Sequence, residues 1–187
     1  MEVENQYKTV VFGGGCFWCV ESCFNMLKGV ISAVSGYSGG TTENPTYEEV
    51  CTGTTNHAEV VQITYDPVLI NYQQLMEVFF FLHDPTQLNR QGEDIGTQYR
   101  SVIFYQSPLE LEEALEAIAV SKSTGRWEGD YVTELAPFTH FYPAETYHQG
   151  YYHVNPNTPY CSAVVGPKIQ KFKLYFSQKG YLKDVIA

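Results

Sequence analysis

The junction between the first predicted strand and the first predicted helix places the strongest constraint on this fold. Three consecutive glycines, residues 13–15, follow a short apolar strand over residues 7–12 and lead directly into Cys16. Beyond this cysteine, apolar side chains recur at helical spacing until Gly29; they are Phe17, Val20, Phe24 and Leu27. The pattern predicts a βα unit that carries a thiol at the N-terminus of its helix.

The rest of the chain alternates short strands with amphipathic helices. The predicted elements are a strand over 30–37, a turn-rich loop over 38–57, a strand over 59–65, a helix over 71–82, a second polar loop over 83–98 and a strand over 99–105. This order is β-α-β-β-α-β. It predicts an α+β fold, an α/β sandwich with a ferredoxin-like core and two helices on one face of the sheet.

An extra helix and an extra strand are predicted after this core. Ser107 and Glu110 form a capping-box pattern with Pro108 at the first helical position, and Gly125 closes the helix. A strand over 131–135 follows. Residues 137–187 are rich in Pro and Tyr at first and then basic, which predicts a coil-rich tail that wraps a single catalytic domain spanning residues 1–187.

Charge and hydropathy exclude several functional classes. The 187 residues carry 11 Lys and Arg against 21 Asp and Glu, a formal charge of −10. Nucleic acids and anionic membrane surfaces both require a basic footprint, so we expect neither partner. The N-terminus has no signal-peptide pattern and no segment reaches the roughly 20 apolar residues of a membrane span. We therefore expect a cytoplasmic protein whose five cysteines remain reduced.

Cys16 is the first candidate for chemistry. Unpaired N–H groups and the positive end of the helix dipole stabilise a thiolate, which predicts a lowered pKa for this thiol. Cys16 and Cys19 also form a CxxC pattern on one helix face, so a reversible disulfide between them is conceivable. A zinc site has little support because no second CxxC or suitably spaced His pair is present. A dinucleotide fingerprint fails because Trp18 replaces its last glycine.

Glu59 is the second candidate. Its position in the alternating strand places it on the apolar face with Val61, Ile63 and Tyr65. Burial disfavours the charged form of a carboxyl group and raises its pKa. The register therefore predicts an acid that is still protonated near neutral pH.

Several motifs in order resemble the methionine sulfoxide reductase A family, the peptide-methionine (S)-S-oxide reductases. These motifs cover about residues 10–165; they are GGGCFWC, GYSGG, NPTYEEVCTGTTNHAEVVQITYDP, HDPTQLNRQGEDIGTQYRS and FYPAE. The resemblance implies a thiol-based oxidoreductase that reduces free and protein-bound methionine S-sulfoxide, repairs oxidised proteins under oxidative stress and uses no cofactor.

The resemblance also implies a role for each matching residue. Cys16 matches the nucleophile and Glu59 the acid that protonates the sulfoxide oxygen. Tyr47 and Tyr99 match the hydroxyl groups that hold this oxygen. The substrate-binding residues implied are Phe17 and Trp18, which form an apolar wall for the methyl group, and Asp94, which binds a water or the substrate amide.

The same resemblance implies a catalytic cycle with two redox steps. Cys16 becomes a sulfenic acid, and Cys161 condenses with it to form a disulfide that thioredoxin reduces. Cys19 stands where one common form of the motif has glycine, so it is an alternative resolving cysteine. We favour Cys161 because Cys16 and Cys19 lie within one rigid helical turn. The remaining two thiols, Cys23 and Cys51, are expected to be structural, and the protein is expected to be a monomer.

Two other readings of the sequence remain open. A thioredoxin-like disulfide oxidoreductase would use Cys16 and Cys19, but it has no use for Glu59 or the two loop tyrosines, and its fold begins with parallel strand pairing. A non-catalytic, aromatic-rich module that binds peptides would keep its activity after alkylation of Cys16. A comparison of two activities, the reduction of insulin disulfides and the reduction of methionyl sulfoxide, distinguishes the first reading from a sulfoxide reductase.

Overall fold

The fold is described from a computed structural model, which covers residues 6–184. The strands are β1 Lys8–Gly13, β2 Val30–Ser38, β3 Ala58–Tyr65, β4 Arg90–Gln91, β5 Asp94–Ile95, β6 Val102–Tyr105, β7 Glu134–Pro137 and β8 Phe141–Pro143. The helices are α1 Phe17–Asn25, α2 Tyr47–Cys51, α3 Tyr72–Leu82, α4 Pro108–Ser123, α5 Tyr151–Val154 and α6 Gly166–Gln178.

Six of the strands form one sheet in the order β7-β6-β1-β3-β2-β8. The central pairs β6-β1, β1-β3 and β3-β2 are antiparallel, so β1 and β2 run parallel with β3 between them. In the same way, β3 and β6 run parallel with β1 between them. The unit β1-α1-β2 is thus split by β3, and the unit β3-α3-β6 is split by β1. The strands β7 and β8 extend the two edges of the sheet. The architecture is the predicted α+β class.

The main core lies between one face of this sheet and the helices. Alternate residues of β1 and β3 point into it, among them Phe12, Val61 and Ile63, which are at most 1% exposed. The helix residues that meet them come from α1, α3, α4 and α6. A smaller cluster that includes Val11, Val60 and Phe104 covers the opposite face. No helix in the described part of the chain is long and apolar enough to cross a membrane.

The two predicted loops contain regular structure. Helix α2 interrupts the first loop, because the side chain of Thr46 accepts from the Glu49 N–H and the Glu49 side chain accepts from the Thr46 N–H. The second loop contains the β4-β5 hairpin and a 3₁₀ turn over Thr97–Tyr99, so the strand predicted from residue 99 begins only at Val102.

The capping box predicted at the start of α4 is only half formed. Ser107 accepts from the Glu110 N–H, as predicted. The Glu110 carboxylate, however, accepts from the N–H of Gln106 instead of closing the box on Ser107. The helix still begins at Pro108 and runs to Ser123.

The C-terminal segment is more ordered than its composition predicts. It contributes β8 to the sheet edge, a π-helical turn over Cys161–Val165 and the 13-residue helix α6. Ile169, Phe172 and Phe176 are spaced along one face of α6 and are fully buried in the main core. Burial of this stripe explains why a segment with weak local signals is helical.

Replacement of Phe172 by alanine tests whether α6 is part of the core. The substitution removes a fully buried ring and should lower the free energy of unfolding by about 3–5 kcal/mol in chemical denaturation. Leu174, on the same helix, is 68% exposed, so Leu174→Ala is the matched control and should cost much less. Equal losses from the two variants would contradict the packing of α6 described here.

Candidate active site

A cavity of about 200 Å³ opens where α1 begins, and it contains most of the predicted site residues. Its lining consists of one thiol, two carboxyl groups and four aromatic side chains; they are Cys16, Glu59, Asp94, Trp18, Tyr47, Tyr99 and Tyr160. Six of these seven were predicted from the sequence, and Tyr160 was not. These residues come from five separate parts of the chain, so the cavity exists only in the folded protein.

The glycine turn places Cys16 next to Glu59. A side chain at Gly13 would come within 2.8 Å of the Glu59 carbonyl oxygen, so only glycine allows β1 and β3 to approach this closely. Gly15 has a φ of +88°, a conformation that favours glycine. Cys16 then caps α1 in an extended conformation, which turns its thiol out of the helix and into the cavity.

Glu59 has the environment of a neutral acid. It is 2% exposed, and its Oε1 accepts from the backbone N–H of Phe17 at 3.3 Å. Burial outweighs that hydrogen bond and, with a smaller contribution from the negative charge of Asp94, raises the Glu59 pKa to about 8. The second oxygen, Oε2, is buried without a hydrogen-bond partner among residues 6–184. A protonated Glu59 therefore has a free oxygen at the cavity.

The prediction of a lowered pKa for Cys16 is wrong. Burial raises the pKa of this thiol well above its ordinary value, and the charge of Glu59 raises it further. The backbone N–H of Trp18 and the hydroxyl of Tyr160 act in the opposite direction but are weaker. The helix N-terminus thus favours the thiolate, as expected, but burial by the surrounding side chains disfavours the thiolate more strongly.

The three tyrosines of the cavity are neutral hydroxyl donors. Burial, reinforced by the Glu59 charge, raises the pKa of Tyr47 and of Tyr99 far above the ordinary value. Burial also raises the pKa of Tyr160, whose hydroxyl donates to Asp94 and lies against the Cys16 sulfur. Asp94 is therefore occupied by a tyrosine of the C-terminal segment, a contact that the sequence did not reveal.

The predicted aromatic pair at the start of α1 is divided between cavity and core. Trp18 lines the cavity, stacked on Tyr151 with ring centroids 3.8 Å apart. Phe17 is 1% exposed, packs against Tyr37 and His148 and is not part of the lining. Because residues 17 and 18 differ by about 100° around the helix axis, only one of them can face the cavity.

Glu145 ties the C-terminal segment to this site. Its carboxylate accepts from the hydroxyl of Tyr37 at 3.0 Å and from the backbone N–H of Tyr47 at 3.1 Å. These hydrogen bonds hold the N-terminus of α2, and with it the Tyr47 side chain, against the C-terminal segment that carries Glu145. The FYPAE motif therefore has a structural role at the site, through the backbone of α2.

The other cysteines lie outside the cavity, and all five thiols are unpaired. Cys161 is fully buried, although it directly follows Tyr160. Cys19 and Cys23 are buried one turn apart on α1 and hydrogen-bond to each other. Cys51 is exposed on α2. Within residues 6–184, no cluster of three or more His, Cys, Asp or Glu side chains could hold a metal ion.

Comparisons with known proteins agree with this geometry. The family described as peptide methionine sulfoxide reductase matches residues 8–180. The chain belongs to the peptide methionine sulfoxide reductase family. It is thus an oxidoreductase that reduces methionine sulfoxide.

Relatives and solved structures resemble this reductase along most of their length. Peptide methionine sulfoxide reductase MsrA of Nautilia profundicola is 53% identical over 87% of this chain and 92% of its own. The MsrA of Sulfolobus acidocaldarius is 50% identical over 94% of this chain and 99% of its own. Reduced Mxr1 of Saccharomyces cerevisiae superimposes with a TM-score of 0.77 at 34% identity, over 84% of this chain and 91% of Mxr1.

Replacement of Glu59 by glutamine tests the neutral acid through stability. Folding at pH 7 protonates a carboxyl group that is ionised in the unfolded chain, where its pKa is near 4.5, and an uncharged amide avoids this cost. The free energy of unfolding of Glu59→Gln should therefore exceed that of the wild type by roughly 3 kcal/mol at pH 7. The difference should widen toward pH 8 and vanish below about pH 4.5.

The control for this measurement is Glu43→Gln, at an exposed position outside the cavity. It should show no comparable gain at any pH. A Glu59→Gln variant that is less stable than the wild type at pH 7 and above would contradict a neutral Glu59.

Proposed function

We propose that this reductase acts on the S epimer of methionine sulfoxide, free or in proteins, with Cys16 as nucleophile and Glu59 as the proton donor. The observation that carries the proposal is the pairing of a thiol with a neutral buried carboxyl group in one cavity. A sulfoxide sulfur is a poor electrophile until its oxygen is protonated or strongly hydrogen-bonded. The free Oε2 of Glu59 supports that role.

The first chemical step transfers the oxygen from methionine to Cys16. The Cys16 sulfur loses its proton and attacks the sulfoxide sulfur, while Glu59 protonates the oxygen and Tyr47 and Tyr99 donate hydrogen bonds to it. The attack forms a bond between the two sulfurs; the hydroxyl group then moves from the substrate sulfur to the Cys16 sulfur as this sulfur–sulfur bond and the sulfur–oxygen bond of the substrate break, so that methionine leaves and Cys16 becomes a sulfenic acid. Two electrons pass from the Cys16 sulfur to the methionine sulfur, and the Cys16 proton replaces the one that Glu59 gave.

The raised pKa of Cys16 agrees with an order of events in which the substrate binds first. The raised pKa keeps the thiol protonated near pH 7, and a thiol is less readily oxidised than a thiolate. Because Glu59 is neutral near pH 7, its charge does not oppose thiolate formation there. The backbone N–H of Trp18 is then available to stabilise the developing thiolate.

We propose Cys161 as the resolving cysteine. Tyr160, its neighbour in the chain, already touches the Cys16 sulfur, so the segment that carries Cys161 is anchored at the cavity. The π-helical turn Cys161–Val165 is an irregular segment of a kind often found at functional sites, and rearrangement of this turn would release the buried thiol. Cys19, by contrast, faces the core and hydrogen-bonds to Cys23.

The second step forms a disulfide between Cys16 and Cys161 and releases water. A thioredoxin reduces this disulfide by thiol–disulfide exchange. The relative Mxr1 has also been solved in a complex with Trx2. We further propose that the chain acts in the cytoplasm as a monomer; its five unpaired thiols agree with a reducing compartment. The single catalytic domain with a resolving tail over 137–187 stays a prediction.

Turnover of resolved peptide epimers tests the proposed function. With thioredoxin, thioredoxin reductase and NADPH, the wild type should reduce a peptide with S-methionine sulfoxide and leave the R epimer unchanged. Cys16→Ser should lose turnover by at least about three orders of magnitude, because the nucleophile is gone. Cys23→Ala removes a buried thiol of the same helix outside the cavity and should keep turnover. Activity of Cys16→Ser would contradict the mechanism.

Disulfide mapping after one turnover without reductant tests the resolving cysteine. We expect a peptide that links Cys16 to Cys161, detected by mass spectrometry. Cys161→Ser should release one equivalent of methionine and retain a trappable sulfenic acid on Cys16. A linkage between Cys16 and Cys19 in the wild type would instead assign resolution to Cys19.

A further inference from the structure

His148 is buried directly behind the cavity, and the proposed mechanism does not use it. It lies at the end of a 3₁₀ turn, Thr146–His148, and is 1% exposed. Its imidazole ring packs against the rings of Phe17 and Tyr47, with centroids 5.1 Å and 4.4 Å apart. A titratable group in this position, between one wall of the cavity and the core, calls for a physical explanation.

A hydrogen bond to Trp18 determines which nitrogen of His148 carries the proton. The indole Nε1–H of Trp18 lies 3.0 Å from His148 Nδ1. An indole nitrogen can only donate, so Nδ1 must accept and cannot carry a proton. His148 is therefore the neutral tautomer with its proton on Nε2, an atom that is buried and has no partner among the described residues.

The same hydrogen bond completes the positioning of the Trp18 ring. Tyr151 stacks on the indole with an interplanar angle of 12°, and Tyr160 meets it edge-on. Stacking fixes the plane of a ring but leaves it free to rotate and slide within that plane. The Nε1–H to Nδ1 bond has one direction and one length, and it removes that remaining freedom.

We propose that neutral His148 is a positioning residue for substrate binding, which holds the Trp18 indole as a fixed wall of the cavity and releases it when Nδ1 is protonated. The inference rests on the proposed function, since the wall is the surface offered to the methyl group of the substrate. A proton on Nδ1 would place two donors against each other, and the indole would lose its acceptor. Acid therefore loosens the substrate site without changing the chemistry at Cys16.

The charges that surround His148 set the direction of this switch. On α2 the facing groups are Tyr47 and Glu48, and on the 3₁₀ turn they are Glu145 and Tyr147. The two carboxylates favour the imidazolium, but burial is the larger effect and lowers the His148 pKa. Burial raises the pKa of Tyr47 and of Tyr147, so neither adds a charge near neutral pH, and Tyr151 of α5 also packs against the ring. The acceptor at Nδ1 is thus present at neutral pH and lost on acidification.

Three substitutions of His148 separate the acceptor from the bulk of the ring. The Oδ1 of asparagine occupies the place of Nδ1 and can accept from Trp18, but it does not titrate. Glutamine places its amide near Nε2 and leaves Trp18 without the acceptor. Leucine fills a similar volume with no polar atom. All three are compared with the wild type for kcat and KM on the S-sulfoxide peptide between pH 5 and 8.

The expected results divide the variants by their acceptor. His148→Leu and His148→Gln should raise KM by about 3- to 10-fold, the value of one hydrogen bond, with a smaller change in kcat. His148→Asn should keep KM near that of the wild type at pH 7.5 and should lack the acid rise in KM that the wild type shows. An unchanged KM in His148→Gln, or an acid rise that persists in His148→Asn, would overturn the proposal; if His148→Leu fails to fold, these two variants still decide it.

Tryptophan fluorescence gives a readout that does not depend on turnover. The chain has two tryptophans, and Trp127→Phe, remote from the cavity, leaves Trp18 as the single emitter. In this background the emission should titrate with one proton on the acid side, and His148→Asn should abolish that titration. A titration that is unchanged in His148→Asn would contradict the coupling. Failure of the wild type to reduce sulfoxide would instead refute the proposed function. The fluorescence titration would still test the hydrogen bond between Trp18 and His148.

Discussion

The site depends on the burial of one carboxyl group against the start of one helix. Glu59 lies beside the glycine turn, where its Oε1 accepts from the N–H of Phe17 and its Oε2 stays free. A helix N-terminus normally stabilises negative charge, yet here the loss of solvent and the nearby Asp94 outweigh that effect and keep the group protonated near pH 7. The same burial raises the pKa of Cys16, so both groups hold their protons near pH 7.

The sheet and the C-terminal segment supply this cover from opposite sides. β3 carries Glu59, and the split arrangement of strands brings it next to the end of β1, from which Cys16 follows. Tyr160 and the residues around His148 close the cavity from more than a hundred residues away along the chain, as the Trp18–His148 hydrogen bond illustrates with a separation of 130.

The local part of the site could be predicted from the sequence, and the part made by tertiary packing could not. The run of glycines before Cys16 and the alternation of β3 indicate where the thiol and Glu59 lie. The Thr46 and Glu49 pattern that caps α2 is also local, but it was missed, because only a loop was predicted over 38–57. Tyr160 and His148 have no local signal, because their hydrogen bonds to Asp94 and Trp18 join residues 66 and 130 positions apart in the chain. The sign of the Cys16 shift was mispredicted for the same reason, since the helix position is visible in the sequence while the extent of burial is not.

The most direct test of this account is the titration of Glu59 itself. NMR of protein labelled with ¹³C at the glutamate side-chain carboxyl carbon, with Glu59→Gln used to assign the signal, measures the protonation of this group in the absence of substrate. The account predicts one glutamate that titrates near pH 8, far above the ordinary value of 4.5. A Glu59 signal that titrates between pH 4 and 5 would contradict it.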